Sequence, residues 1–153
     1  MSEDARFEDG REAPLNIGAV DSDDLKIISA LVQDAVFPAN EMRFKASERR
    51  FAILLNRFRW EEGGKRSPER VQSILHFSNV SRVSSQGVDR SDKDMVFSVL
   101  SAEFEESEAP SGSVILTLAG DGAIRLDVEA LEVTLKDVTR PYLAPSRKVP
   151  SHD

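Results

Sequence analysis

The chain contains no cysteine, one tryptophan, one tyrosine and two histidines. Without cysteine there is no disulfide framework, no Cys-ligated zinc and no thiol nucleophile. With His76 and His152 as the only imidazoles, histidine chemistry has few places to occur. No apolar run approaches the roughly 18 residues that span a bilayer. The N-terminal MSEDARFEDGREAPLN is acidic and lacks the charged-then-apolar pattern of a signal peptide. These absences make a cytoplasmic protein without a cofactor and without membrane attachment the expectation.

What is present suits one globular domain. At 153 residues the chain is long enough to bury a sizeable core. Hydrophobic residues at 40% and charged residues at 31% are ordinary for a folded protein. The formal net charge of −7 argues against nucleic-acid binding by the whole surface. The charge is uneven, however. Residues 1–40 carry three basic and nine acidic side chains, residues 41–70 nine and five, and residues 71–153 eight and thirteen. The segment 41–70 is therefore a basic island of net +4 in an acidic chain.

Residues 1–16 are polar and acidic and are expected to be a disordered tail. Asp21-Ser22-Asp23-Asp24 supplies an N-cap and first-turn acids, and Leu25, Ile28, Leu31 and Val32 follow at helical spacing. One amphipathic helix over 22–34 is predicted. From residue 35 the apolar residues are β-branched or aromatic and tend to alternate, as in strands. Phe51, Ile53 and Leu55 interleave with Ala52, Leu54 and Phe58, which predicts a central strand. Residues Glu61 to Pro68 form a polar loop, and Gly120-Asp121-Gly122 is a hairpin turn. After Pro141 three prolines in thirteen residues predict a tail over 141–153.

An internal repeat organises the domain, expected over 17–140. Asp34-Ala35-Val36-Phe37 followed by Phe44 is echoed by Asp94-Met95-Val96-Phe97 followed by Phe104, with the same ten-residue spacing. Ala52-Ile53-Leu54 then corresponds to Val114-Ile115-Leu116, and Leu75, Phe77 and Val80 to Leu126, Val128 and Leu131. The expected fold is mostly β: a duplicated β-sandwich or partly open barrel, halves 35–84 and 95–137, with one N-terminal helix. A pleckstrin-like barrel is the alternative, disfavoured because the helix comes first.

The candidate chemistry is sparse. His76 lies mid-strand between Leu75 and Phe77 with no nucleophile motif nearby, which favours a structural role. Gly63-Gly64-Lys65-Arg66-Ser67 lacks the first glycine and the Ser/Thr of a phosphate loop. Asp89, Arg90 and Asp92 head the densest run of oxygen ligands, but Lys93 and Asp94 stand where a calcium loop needs a ligand and a glycine. An Asx-rich turn explains that run, with metal-dependent chemistry at Asp89–Asp94 as a remote alternative. Glu103, Glu105, Glu106 and Glu108, with Asp127, Glu129 and Glu132, fit solvated strand faces.

The most suggestive stretch is Arg57-Phe58-Arg59-Trp60, at the end of SERRFAILLNRFRWEE. Aromatic platforms beside arginines bind single-stranded nucleic acid through stacking and phosphate contacts. Strict alternation separates the arginines from the aromatics here, which disfavours that use. The four residues are a candidate interaction surface, since the matching end of the second copy turns at Gly120 instead.

At ISALVQDAV, RRFAILLNRFRWE and GVDRSD the sequence resembles a small bacterial family known only as a domain of unknown function. The resemblance covers roughly Leu25 to Thr139 and carries no activity, ligand or catalytic residue. It implies a compact cytosolic protein that acts through contacts rather than chemistry. The reading is a non-enzymatic binding or interaction module with a protein partner or self-association through a strand edge or the helix. Single-stranded nucleic-acid binding by the 41–70 region is the alternative.

Overall fold

The computed structural model describes residues 14–60, 66–89, 91–140 and 142–143. Alternating burial dominates it, as the side-chain period of two requires. Among the described residues eleven strands form one antiparallel sheet: β1 Asn16–Ala19, β2 Val36–Pro38, β3 Met42–Lys45, β4 Arg50–Trp60, β5 Arg66–Phe77, β6 Val80–Gln86, β7 Val96–Glu106, β8 Gly112–Leu118, β9 Gly122–Val128, β10 Val133–Asp137 and β11 Tyr142–Leu143. The order is β1-β10-β5-β4-β2-β7-β8-β9-β6, with β11 on β5 and β3 on β4. Among the described residues the fold is mostly β with one α-helix, and the sheet is not closed into a barrel, which removes the pleckstrin-like alternative.

Helix α1, Ser22–Val32, begins where the acids predict. Asp21 Oδ1 accepts from the Asp24 N–H at 2.8 Å, and Asp23 and Asp24 lie in the positive first turn. Leu25, Ile28 and Val32 are buried along one stripe. The helix stops two residues earlier than expected, because Gln33 leaves helical geometry and Asp34 takes a left-handed φ of 66°. Ser29 Oγ accepts the Ala102 N–H at 2.9 Å and so ties α1 to β7 beside an irregularity in the strand.

Strand β2 is the junction of the sheet. Its Val36 pairs with Asn56 of β4 and with Ser98 of β7, while Phe37 lies opposite Phe97, ring centroids 5.6 Å apart. One buried cluster joins both sides of this junction, taking Ile53, Leu55 and Leu75 from one and Leu116, Ile124 and Leu126 from the other. The expected halves are not two separate sheets. Strand β6 leaves the first half to pair with β9, and β10 leaves the second half to pair with β5. Ser78 N–H to Glu132 carbonyl (2.9 Å) and Glu129 N–H to Asn79 carbonyl (3.0 Å) fasten the crossing.

The borders also differ from expectation. Asn16 already belongs to β1, and Leu15 N–H donates to Asp137 Oδ2 at 2.9 Å, so the domain begins before residue 17. Beyond residue 140, Tyr142 and Leu143 pair with Arg70 and Glu69, extending β5's neighbour line into the expected tail. Strand β5 starts at Arg66, so Ser67 and Pro68 belong to a strand rather than to the loop, whose residues 61–65 lie outside the described set. Pro68 falls where the β4–β5 ladder is irregular between Phe58 and Trp60, a place that tolerates a missing N–H. The hairpin at 119–121 is as expected, with left-handed φ of 82° at Gly120 and 66° at Asp121. Gly112 has a different reason: a Cβ there would come within 2.6 Å of the Phe104 ring, which lies against the bare backbone.

Candidate functional site

Residue 57 continues the phase of Phe51, Ile53 and Leu55, so Arg57 points into the protein and is 4% exposed. Its Nη2 donates to both oxygens of Asp137 at 2.8 and 3.0 Å, and its Nε reaches Ser73 Oγ at 3.0 Å and Asp137 Oδ1 at 3.2 Å. Ser73 Oγ donates in turn to Asp137 Oδ1 at 2.7 Å. Because Leu15 N–H also binds Asp137, one buried cluster joins β4, β5, β10 and the entry to β1. Phe58 lies on the opposite face and is buried as well, with the Arg70 guanidinium 4.2 Å above its ring centroid. Arg59 is half-buried beside Glu69 at 3.4 Å. Trp60 ends β4, its side chain outside the described set. The expected interaction surface is therefore internal at Arg57 and Phe58, and the pairing of Arg57 with an acid of the same protein is the reason.

The other candidates hold local roles. Asp89 Oδ1 accepts from Ser91 Oγ at 2.6 Å and from Ser91 N–H at 2.9 Å, which holds the Asp89 carboxyl below its ordinary pKa. Asp92 Oδ1 accepts from the Asp94 N–H at 3.2 Å, and Arg90 lies outside the described residues. The run is an Asx-type turn, and among the described residues no group of three His, Asp or Glu is placed to hold a metal ion. His76 sits between Ala52 and Thr134; burial holds its pKa below the usual value, Arg50 adds to this and Glu132 opposes it. Glu103, Glu105, Glu106 and Glu108 are exposed. Asp127 accepts from Ser113 Oγ at 2.8 Å and Arg125 Nε at 2.9 Å, and the Ser113 bond in particular lowers its pKa.

A cleft of about 560 Å³ lies elsewhere, between β3 and β6. Each of these strands has a ladder on one side: β3 with β4, β6 with β9. Their other edges meet at a seam that is fastened at its ends and open between them. At one end Val80 N–H donates to the Arg49 carbonyl at 2.9 Å, while Arg49, in a left-handed turn with φ of 55°, pairs with Glu129. At the other end Asn40 N–H donates to the Lys93 carbonyl at 3.3 Å and Ala39 N–H to the Met95 carbonyl at 2.7 Å. Four residues of β3 make the opening roughly 13 Å long at about 3.3 Å per strand residue.

Apolar side chains make up most of the lining, chiefly Met42, Phe44, Phe51, Val83, Val88 and Ile124. Phe51 and Ile124 are core residues that show one side to the opening, and Phe44 is 40% exposed at its mouth. Among the described residues Arg43 and Lys93 are the charged members of its lining, which holds no carboxylate or imidazole. Arg43 donates through Nη1 to the carbonyls of Asn40 and Met42, the latter at 3.0 Å. Sequence reasoning counted Arg43 in the basic island but assigned it no site. The segment MRFK pairs with β4 on one side only, and nothing in its own alternation shows what faces its other edge.

The architecture defines a mostly β protein with one helix and an open, lined seam. The chain belongs to a family described as "Protein of unknown function (DUF2948)", whose model matches residues 15–152, a wider span than the Leu25–Thr139 of the sequence resemblance. No curated protein and no solved structure matches it. Among the described residues no helix is long and apolar enough to cross a membrane.

Proposed function

We propose that the protein is a non-enzymatic binding module whose ligand is a small molecule held in the cleft between β3 and β6. The observation that carries this reading is the cleft itself. Its 560 Å³ falls within the range of about 300–1,000 Å³ typical of small-molecule sites, and its lining is mainly apolar with a few convergent polar groups. Binding is favoured over chemistry because the described residues of the lining include no carboxylate or imidazole to move a proton. A small ligand is favoured over an added partner strand because the seam is closed at both ends by backbone hydrogen bonds. The nucleic-acid alternative loses its platform, since Arg57 and Phe58 are buried.

The test uses N-phenylnaphthylamine, a neutral apolar dye that brightens on leaving water. Saturable brightening at about one dye per chain is expected. Ser85, exposed on β6 and lining the cleft, offers a position where a large side chain fills the opening without entering the core. Ser85→Trp is expected to weaken dye binding by about tenfold or more, equivalent to about 1.4 kcal/mol. Val88→Trp, entering from the following loop, repeats the test from a half-buried position, with its thermal midpoint measured alongside to confirm that the fold is kept. Dye binding that neither variant changes overturns the reading.

A further inference from the structure

We propose that the ligand is an amphipathic organic anion, a carboxylate or phosphate head on an apolar body, with Arg43 and Lys93 holding the head. This rests on the reading of the cleft just given and names the ligand's class.

The charge distribution is the first reason. The chain carries a net charge of −7, yet the described residues of the cleft lining include two cations and no acid. Six cations elsewhere stand beside acids: Lys26 with Asp23, Lys45 with Glu48, Arg49 with Glu129, Arg57 with Asp137, Arg59 with Glu69 and Arg125 with Asp127. Arg43 and Lys93 form no such pair among the described residues; Arg50, Arg70, Arg82 and Lys136 share that condition, but only Arg43 and Lys93 come together in the lining of one cleft. Two like charges directed at one apolar opening repel each other, and an anion bound between them relieves that repulsion.

The second reason is the way Arg43 is held. Its Nη1 is engaged by the Asn40 and Met42 carbonyls, so the guanidinium is anchored through one nitrogen. The Nε–Nη2 edge keeps its parallel donors, which match the two oxygens of a carboxylate or phosphate. Less side-chain entropy is lost when such a pre-positioned fork binds. Lys93 is positioned from the opposite wall by its own carbonyl, which accepts from Asn40 N–H at 3.3 Å. The two cations therefore hang from the same end of the seam, where Asn40 and Lys93 meet.

The third reason is the depth of apolar surface below them. Phe51 and Ile124 form the floor, and Met42, Val83 and Val88 the walls. A purely ionic ligand leaves that surface wet, whereas an apolar body of about ten carbons covers it. Each buried methylene contributes about 0.8 kcal/mol of transfer free energy.

The experiment is isothermal titration calorimetry at neutral pH with decanoate, decyl phosphate and decanol, which share an apolar body and differ in the head. Both anions are expected to bind at least about tenfold more tightly than decanol. The double substitution Arg43→Met with Lys93→Met keeps apolar stems and removes both charges, and it is expected to erase that preference while dye binding persists. Equal affinity for decanol and the anions, or a preference that survives the double substitution, overturns the anion assignment and leaves the cleft reading standing. Failure of all three ligands and of the dye to bind overturns both.

Discussion

Asp137→Ala is expected to destabilise the fold by about 3–5 kcal/mol, read as a shift of the urea unfolding midpoint at constant slope. The carboxylate it removes accepts from Arg57, Ser73 and Leu15 N–H, in a cluster where the side chains of Arg57 and Asp137 are 5% and 7% exposed. Arg57 cannot follow its charge into water, because the guanidinium lies on the core face of β4. The loss is therefore the cost of an unpaired buried cation rather than the net worth of the pair. Arg57→Met combined with Asp137→Leu is expected to recover most of the stability, since two apolar side chains of similar volume need no partner. A loss under about 1 kcal/mol for Asp137→Ala contradicts the burial of this cluster.

Phe37→Ala is expected to cost about 3–5 kcal/mol by the same measurement. Phe37 is fully buried, packs on Phe97 and lies in the three-residue strand that joins the two stretches of sheet. The vacated volume opens between β4 and β7, where neither neighbour can close in without breaking its ladder with β2. Val96→Ala, next to Phe37's partner Phe97 and 63% exposed, is the control with little expected change. A Phe37→Ala loss no larger than that of the control contradicts the junction role of β2.

Much of the fold was legible because its signals are local. The acids at Asp21–Asp24 and the stripe Leu25, Ile28, Val32 specify a helix wherever they stand. Alternation marked the strands, and Gly120-Asp121 marked the tight hairpin. Two features escaped for physical reasons. Alternation gives a strand's faces but not its neighbours, so the exchange of β6 and β10 between the halves left no mark in either segment. The candidate site suffered in the same way: Met42 and Val83 meet only through that exchange. Arg57 was legible in principle. Its odd-numbered phase with Ile53 and Leu55 placed it inside, and an inward arginine demands an inward acid. Asp137, in phase with the buried Val133 and Leu135, was the available one. Alternation sets Arg57 and Phe58 on opposite faces, but in a strand apolar on both faces it does not say which of them is dry.

The crossing of β6 and β10 bears on how the chain comes apart. A strand supplied by the other half is a mutual splint: neither 35–84 nor 95–137 completes its own sheet, so neither survives as a lone fragment. Loss of one half strips an edge from the other, which makes melting a single cooperative event. A backbone cut in the exposed turn after Gln86 leaves two pieces that remain clasped, each holding the other's last strand.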